Sequence, residues 1–335
     1  AGDVAWGPGG PVDANEGLLF GLHVADAGGV RSVGWDDLDA ADGGDGFVWL
    51  HLDADDPRTF AWVRERSGID PITQDALLAE ETRPRAIVHD DRLLLLLRAV
   101  NLNPGQEPDD MIALRLHLEP GRLVTLRRRP VRTVEAVREK LEARRIPAEP
   151  GALLVAICDQ LTQYVGEVVA DVEDRSDAFE EQILSAESRD LRSRISDLRR
   201  TMIALRRYLA PQREALARVT TAEVSWLDDR QRARLREIAD RAIRHVEEVD
   251  EAREHAGVAY EELTGRLTER LESRMYVLSL VAAIFLPLGF VTGLLGINVG
   301  GIPGADQPSA FLWVLGGCVA LALGMLFLMR RRGWF

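Results

Sequence analysis

Cysteine is nearly absent, with only Cys158 and Cys318 in 335 residues. That count excludes a disulfide framework, and neither residue belongs to a Cys-x-x-Cys pair suited to metal or redox chemistry. Positive charge is also short. Lys and Arg number 41 against 54 Asp and Glu, a net charge of −13 with no basic stripe, which excludes nucleic acid as a partner. No phosphate-cradling Gly-x-x-x-x-Gly-Lys loop, no His-Glu-x-x-His and no Gly-x-Ser-x-Gly occurs, and the 6 histidines never fall at ligand spacing. The chain therefore reads as no enzyme, with no resident cofactor. Its opening residues, AGDVAWGPGGPVDANE, have neither a basic nor an apolar region, which predicts no cleavable secretion signal.

The remaining absence is local. Although 28% of the residues are charged, Met275 to Ile297 and Phe311 to Met329 contain no charge at all. At ~1.5 Å per helical residue the first run extends about 34 Å, against a hydrocarbon core of about 30 Å, and the second also reaches spanning length. Arg266, Arg270 and Arg274 precede the first run, Arg330, Arg331 and Arg332 follow the second, and the intervening loop holds no Lys or Arg. The positive-inside rule then places both long ends in the cytoplasm and the loop outside. Trp334 and Phe335 suit an interfacial aromatic anchor.

Upstream, 17–25, 46–54, 92–100, 111–119 and 121–129 read as strands, the last two joined at Pro120-Gly121. Asp-Pro pairs at 56–57 and 70–71 start helices, with Pro in the first turn, and 132–145 is a further helix. A compact mixed α/β domain is expected to end near 146–151. From Ala152 the strand signals stop. One long helix follows, then a second over about 188–219 with Pro211 marking a kink or end. A third begins near Trp226–Asp229 and has no breaker before the membrane; from Asp229 to Ile297 it would extend about 100 Å.

One helical hairpin encloses nothing, so conduction requires several copies around an axis. Gly289 and Gly293 form a Gly-x-x-x-Gly on the first span, and Gly316, Ala320 and Gly324 a small-residue stripe on the second; both suit close helix packing, within one chain or between copies. Pro287 frees a backbone carbonyl that must find a partner or water. With no ionisable ligand in either span, a cation passes largely hydrated, held by carbonyls and the amide of Asn298.

The stretch FLPLGFVTGLLGINVGGIPG (285–304) resembles the signature of CorA-type divalent-metal transporters, in which a Gly-x-Asn tripeptide closes the first membrane helix at the mouth of a homopentameric pore. The form Gly296-Ile297-Asn298, followed by Gly301-Ile302-Pro303, looks like the zinc-transporter (ZntB) branch. WLHLDADDPRTFAWV (49–63), RPRAIVHDDRLLLLLRAV (83–100) and LVTLRRRPVRTVEAVR (123–138) are similar to the family's cytoplasmic domain, in the same order.

The resemblance implies an α/β/α cytoplasmic domain over 1–150 and long stalk helices over 151–274. It implies membrane helices at 275–298 and 311–329, a loop at 299–310 and a basic tail at 330–335, assembled as a pentameric funnel in the bacterial inner membrane. By position, Met275, Leu278, Leu286, Gly289 and Gly293 would line the pore. Asn298 would meet the hydrated ion, and Asp306 would concentrate cations in the outer loop. Gly289 stands where many relatives carry threonine, which removes a second polar ring.

Zinc as cargo, with protons as a coupling ion, is implied by the branch and not by pore chemistry. His245, His255, Glu247, Glu248, Asp250, Glu251, Glu254, Glu261, Glu262, Glu269 and Glu272 are stalk candidates for metal or proton binding, with Arg241, Arg244, Arg253 and Arg266 as ordinary ion-pair partners. A Mg2+/Co2+ channel of the same fold and a membrane-anchored sensor or scaffold stay open as alternatives.

Overall fold

A computed structural model describes residues 17–25, 29–37, 46–185, 189–297 and 307–331. The chain divides into two compact units, Ala1–Tyr260 and Glu261–Phe335.

The first unit is built on a sheet of 7 strands: β1 (Leu18–Val24), β2 (Val30–Ser32), β3 (Phe47–Asp53), β4 (Arg85–His89), β5 (Arg92–Ala99), β6 (Ile112–Glu119) and β7 (Arg122–Arg127). Their order is β2-β1-β3-β7-β6-β5-β4. The β3–β7 pair is parallel and every other neighbouring pair antiparallel. The five leucines of β5, Leu93 to Leu97, are all buried, because helices cover both faces and alternation gives way to a continuous apolar run.

On one face Leu94, Leu96, Val124, Leu126, Leu50 and Leu52 form a core with Trp62 and Val63 of α1 (Pro57–Glu65) and Ala76 and Leu77 of α2 (Pro71–Leu78). Both helices start as expected. Asp56 accepts a hydrogen bond from the Arg58 amide at 2.7 Å and Asp70 from the Thr73 amide at 3.0 Å, each followed by Pro. Such caps contribute about 1 kcal/mol apiece. Across the sheet lie α3 (Arg132–Glu142), α4 (Pro150–Ser185) and α5 (Arg189–Thr220), with α4 and α5 packed on β5 and α5 also on β4.

Two expectations change. The strands β2 and β4 escape sequence reading: β2 has 3 residues, none buried, and β4 is an edge strand with alternating exposure, so neither carries a sustained apolar signal. A tight turn at Asp90, with φ of 51°, joins β4 to β5. Pro211 does not end α5, which continues to Thr220. The loss of one backbone bond is offset by the burial of Leu209, Gln212, Ala215, Leu216 and Val219 around it.

Arg98 of β5, Arg115 of β6 and Arg128, just past β7, converge on the end of α2 and the segment after it. Arg98 donates to the Thr82 carbonyl at 2.7 Å, Arg115 to that of Ala79 at 2.8 Å and Arg128 to that of Leu78 at 3.3 Å. Burial, and then the charges of Arg128 and Arg98, push the Arg115 guanidinium down to about 10. Carbonyls at a helix C-terminus are suitable partners for such cations.

The helix α6 (Asp229–Leu295) runs unbroken for 67 residues. Within the first unit it packs closely on α4: a side chain at Gly166 would place its Cβ 2.9 Å from the His245 ring, and Ser176 donates to the Ala252 carbonyl at 3.0 Å. Arg241 pairs with Asp159, and Arg206 of α5 with Asp250 at 2.5 Å. The second unit contains the end of α6 and α7 (Ala310–Arg331).

Candidate permeation segment

The apolar end of α6 is helical because Leu, Ala, Val and Phe dominate it and nothing before Gly296 caps it. Pro287 lies inside the helix. It removes the amide that would serve the Ala283 carbonyl four residues back. Thr292, a polar residue the sequence reading passed over, turns its hydroxyl back to the Leu288 carbonyl at 2.9 Å and the Gly289 carbonyl at 3.3 Å. Such back-bonding commits the hydroxyl proton locally, while the oxygen keeps its acceptor lone pairs. The helix closes at Gly296, whose amide is shared between the Thr292 and Gly293 carbonyls at 3.0 and 3.2 Å.

Met275, Leu278, Leu286, Gly289 and Gly293 share one unbroken helix. At about 100° per residue they fall within an arc of about 80°. Met275 is 68%, Leu278 69% and Leu286 74% exposed. A side chain added at Gly289, Gly293, Gly316 or Gly324 would meet nothing within 4 Å. The small-residue stripes therefore have no neighbour among the described residues of their own chain, and the intrachain packing left open by the sequence is not seen. Both C-terminal helices are long and apolar enough to cross a membrane, and in each the most apolar window is 0% buried. Ile297 is exposed; Asn298, Gly301, Ile302, Pro303 and Asp306 lie outside the described residues.

Along the stalk candidates the charges are engaged with one another. His245 Nδ1 is 2.8 Å from Glu248 Oε2, Arg253 lies 3.5 Å from Asp250, and Arg266 donates to Glu262 at 2.7 Å. Arg241 and Arg206 reach across helices to Asp159 and Asp250, partnerships that i,i+4 spacing does not predict. Between α4 and α6 the Glu173 carboxyl is raised by burial and then by Glu248, Glu251, Asp177 and Asp174. Among the described residues no group of three or more His, Cys, Asp or Glu is placed to hold a metal ion. The described part of the segment offers backbone carbonyls and apolar side chains and no side-chain ligand set for a metal ion.

Comparison with known proteins places this geometry in context. Residues 44–331 match the family described as CorA-like Mg2+ transporter protein. The divalent cation transporter CmaX of Pseudomonas aeruginosa is 38% identical over 326 residues, 95% of this chain and 97% of that one. The zinc transport protein ZntB of Pectobacterium carotovorum subsp. carotovorum is 31% identical over 320 residues, 96% and 97% of the two chains. Among solved structures, full-length CmaX has a TM-score of 0.83 at 36% identity, covering 96% of this chain and 99% of its own. The CorA magnesium transporter of Methanocaldococcus jannaschii has a TM-score of 0.78 and covers 94% and 98%; at 16% identity that likeness shows the fold alone.

Proposed function

Because this chain belongs to the CorA-like Mg2+ transporter family, and is a divalent-cation transporter of that type and not an enzyme, we propose that it forms a homopentameric pore for Zn2+. The pore is lined by α6, with Gly296-Ile297-Asn298 at its outer mouth. The observation that carries assembly is that the most apolar windows of α6 and α7 are 0% buried and that their glycines meet no neighbour among the described residues of their own chain. Lipid covers the bulky apolar side chains, and other copies fill the grooves at Gly289 and Gly293. Both helices cross the inner membrane, with the two long ends cytoplasmic, as the arginine flanks favour.

Met275, Leu278, Leu286, Gly289 and Gly293 face the axis. A hydrated cation is held at Asn298 through its water shell, and Asp306 raises the local cation concentration outside. Zinc is favoured over magnesium by the similarity to the zinc transport protein. No acid or imidazole lies between residues 275 and 297, so proton coupling, where it operates, uses water or stalk groups.

The test is zinc flux into proteoliposomes carrying the purified protein, with Asn298→Leu alongside and magnesium as competitor. Zinc uptake abolished by the substitution and barely inhibited by excess magnesium is expected. Equal conduction of magnesium reassigns the cargo to divalent cations in general. Flux of neither metal from vesicles holding intact oligomers sinks the pore and leaves a membrane-anchored sensor or scaffold.

A further inference from the structure

Three polar side chains, Tyr276, Ser279 and Thr292, lie between residues 275 and 297 of α6, and their places on the helix differ. At about 100° per residue, Ser279 falls about 20° beyond the edge of the arc shared by Met275, Leu278, Leu286, Gly289 and Gly293. Thr292 falls about 40° beyond the opposite edge and Tyr276 about 80° away. Ser279 is thus the polar side chain nearest the face assigned to the pore. It follows Met275 by about one turn and precedes Leu286 by about two, so bulky apolar side chains flank it along that face.

Its hydroxyl is also uncommitted where others on the helix are not. Thr268 returns its hydroxyl to the Thr264 carbonyl at 3.0 Å, and Thr292 to that of Leu288 at 2.9 Å, which is how a helix satisfies such a group by itself. Ser279 is exposed, and its hydroxyl bonds to none of the described residues. Lipid tails offer a hydroxyl no partner, and burying one unbonded in hydrocarbon is unfavourable. The partner therefore lies on a side of α6 turned away from lipid.

Resting on the pore reading above, we propose that Ser279 is a further pore-lining residue: one hydroxyl from each copy makes a polar ring that accepts hydrogen bonds from the water shell of the passing cation. Waters around a cation turn their oxygens inward and their hydrogens outward, so acceptor oxygens on the wall match such a shell. The ring lies about 15 Å along the helix from Gly289, towards the cytoplasmic end. The apolar stretch from Met275 to Leu286 is then interrupted by a polar step, and a cation crosses it with its waters still bonded.

The test uses the full chain in proteoliposomes. Ser279→Ala is expected to lower zinc flux about 5-fold, the effect of one ordinary hydrogen bond, with the oligomer intact. Ser279→Cys is made in a Cys318→Ser background, since Cys158 is fully buried. Its thiolate is expected to displace sulfinate from a trimethylammonium-bearing methanethiosulfonate, giving a mixed disulfide that blocks flux, and zinc is expected to slow the reaction. A thiol facing lipid or packed between helices does not ionise and does not react. Native flux that Asn298→Leu abolishes, together with full flux in Ser279→Ala and an unreactive Ser279→Cys, overturns the ring and leaves the pore standing. Loss of the oligomer in step with flux in Ser279→Ala also overturns it, because the hydroxyl then bonds a neighbouring copy. Absence of native flux overturns the pore, and the ring with it.

Discussion

Among the described residues three helices are long and apolar enough to cross a membrane, and they meet opposite fates. The most apolar window of α4 is 61% buried inside the protein, whereas those of α6 and α7 are 0% buried. Hydropathy alone does not separate them. What separates them is where the polar residues fall. In α4, Asp159, Glu167 and Asp171 interrupt the run on one side while Leu153, Leu154, Ile157, Leu161, Val165 and Val172 are buried on the other, the signature of a helix with one apolar face. From 275 to 297 and from 311 to 329 the helices are apolar all round, so no single protein surface could cover them.

Breaking that comparison begins with the same insult in both places. Ile157→Asp, at a site 0% exposed, buries an unpaired charge and is expected to cost about 4 kcal/mol or more, enough to unfold the α/β unit by circular dichroism. Leu323→Asp on α7, where the side chain is 61% exposed, should leave that unfolding transition within about 0.5 kcal/mol. Its cost, about 3 kcal/mol, should appear instead in membrane insertion. Equal loss of the α/β transition in both variants would undo the distinction.

The buried region also carries a pH signature that the exposed helices lack. His51, 3% exposed, lies beside Thr125 with Nδ1 2.9 Å from Oγ1. Burial, and then the charges of Arg127 and Arg138, lower its pKa from 6.5 to about 3. The unfolded imidazole therefore binds a proton at a pH where the folded one does not. Stability present above pH 6.5 is lost as the pH falls from 6.5 towards 3, by up to about 1.4 kcal/mol per pH unit. Urea midpoints between pH 6.5 and 5, above the usual carboxylate range, should show this slope in the native chain and a flatter one in His51→Gln. Parallel slopes would mean that His51 is not the group responsible.

Glycine sharpens the contrast at smaller cost. Gly166→Leu drives a side chain into the His245 ring and should destabilise the helical packing by about 1–3 kcal/mol. Gly293→Leu meets nothing within 4 Å in its own chain. It should leave the thermal unfolding of the monomer unchanged while lowering zinc flux and the fraction of pentamer. The two cysteines give the mildest test. The Cys158 thiol is fully buried, and burial pushes it up to about 12, so a small mercurial should reach it only on unfolding. Cys318, of intermediate exposure, should react in the native protein in detergent.

Much of this was legible because it is local. Asp-Pro starts α1 and α2, the leucine run of β5 announces a strand covered twice, and two charge-free runs announce the exposed helices. What depends on register was not legible. Arg98 and Arg115 stand on β5 and β6 and Arg128 just past the end of β7, and they converge only because Leu96 pairs with Arg115, and Arg115 with Leu126, in the sheet. In the apolar end of α6, the family resemblance suggested Met275, Leu278, Leu286, Gly289 and Gly293 by position, and one unbroken helix puts them on one face. Thr292 was overlooked because a lone hydroxyl in an apolar run gives no sign of whether it bonds outward or back.

The apolar character of α4 also has a consequence for synthesis. As the chain leaves the ribosome, α4 is the first described segment that membrane-targeting factors could mistake for a span. By then β4, β5 and α3, all earlier in the sequence, have emerged and offer it a surface. The helix α5 follows directly to complete the cover. The apolar end of α6 and the whole of α7 come last, when the surfaces that cover α4 are already taken, so order of emergence reinforces the separation that the polar residues set.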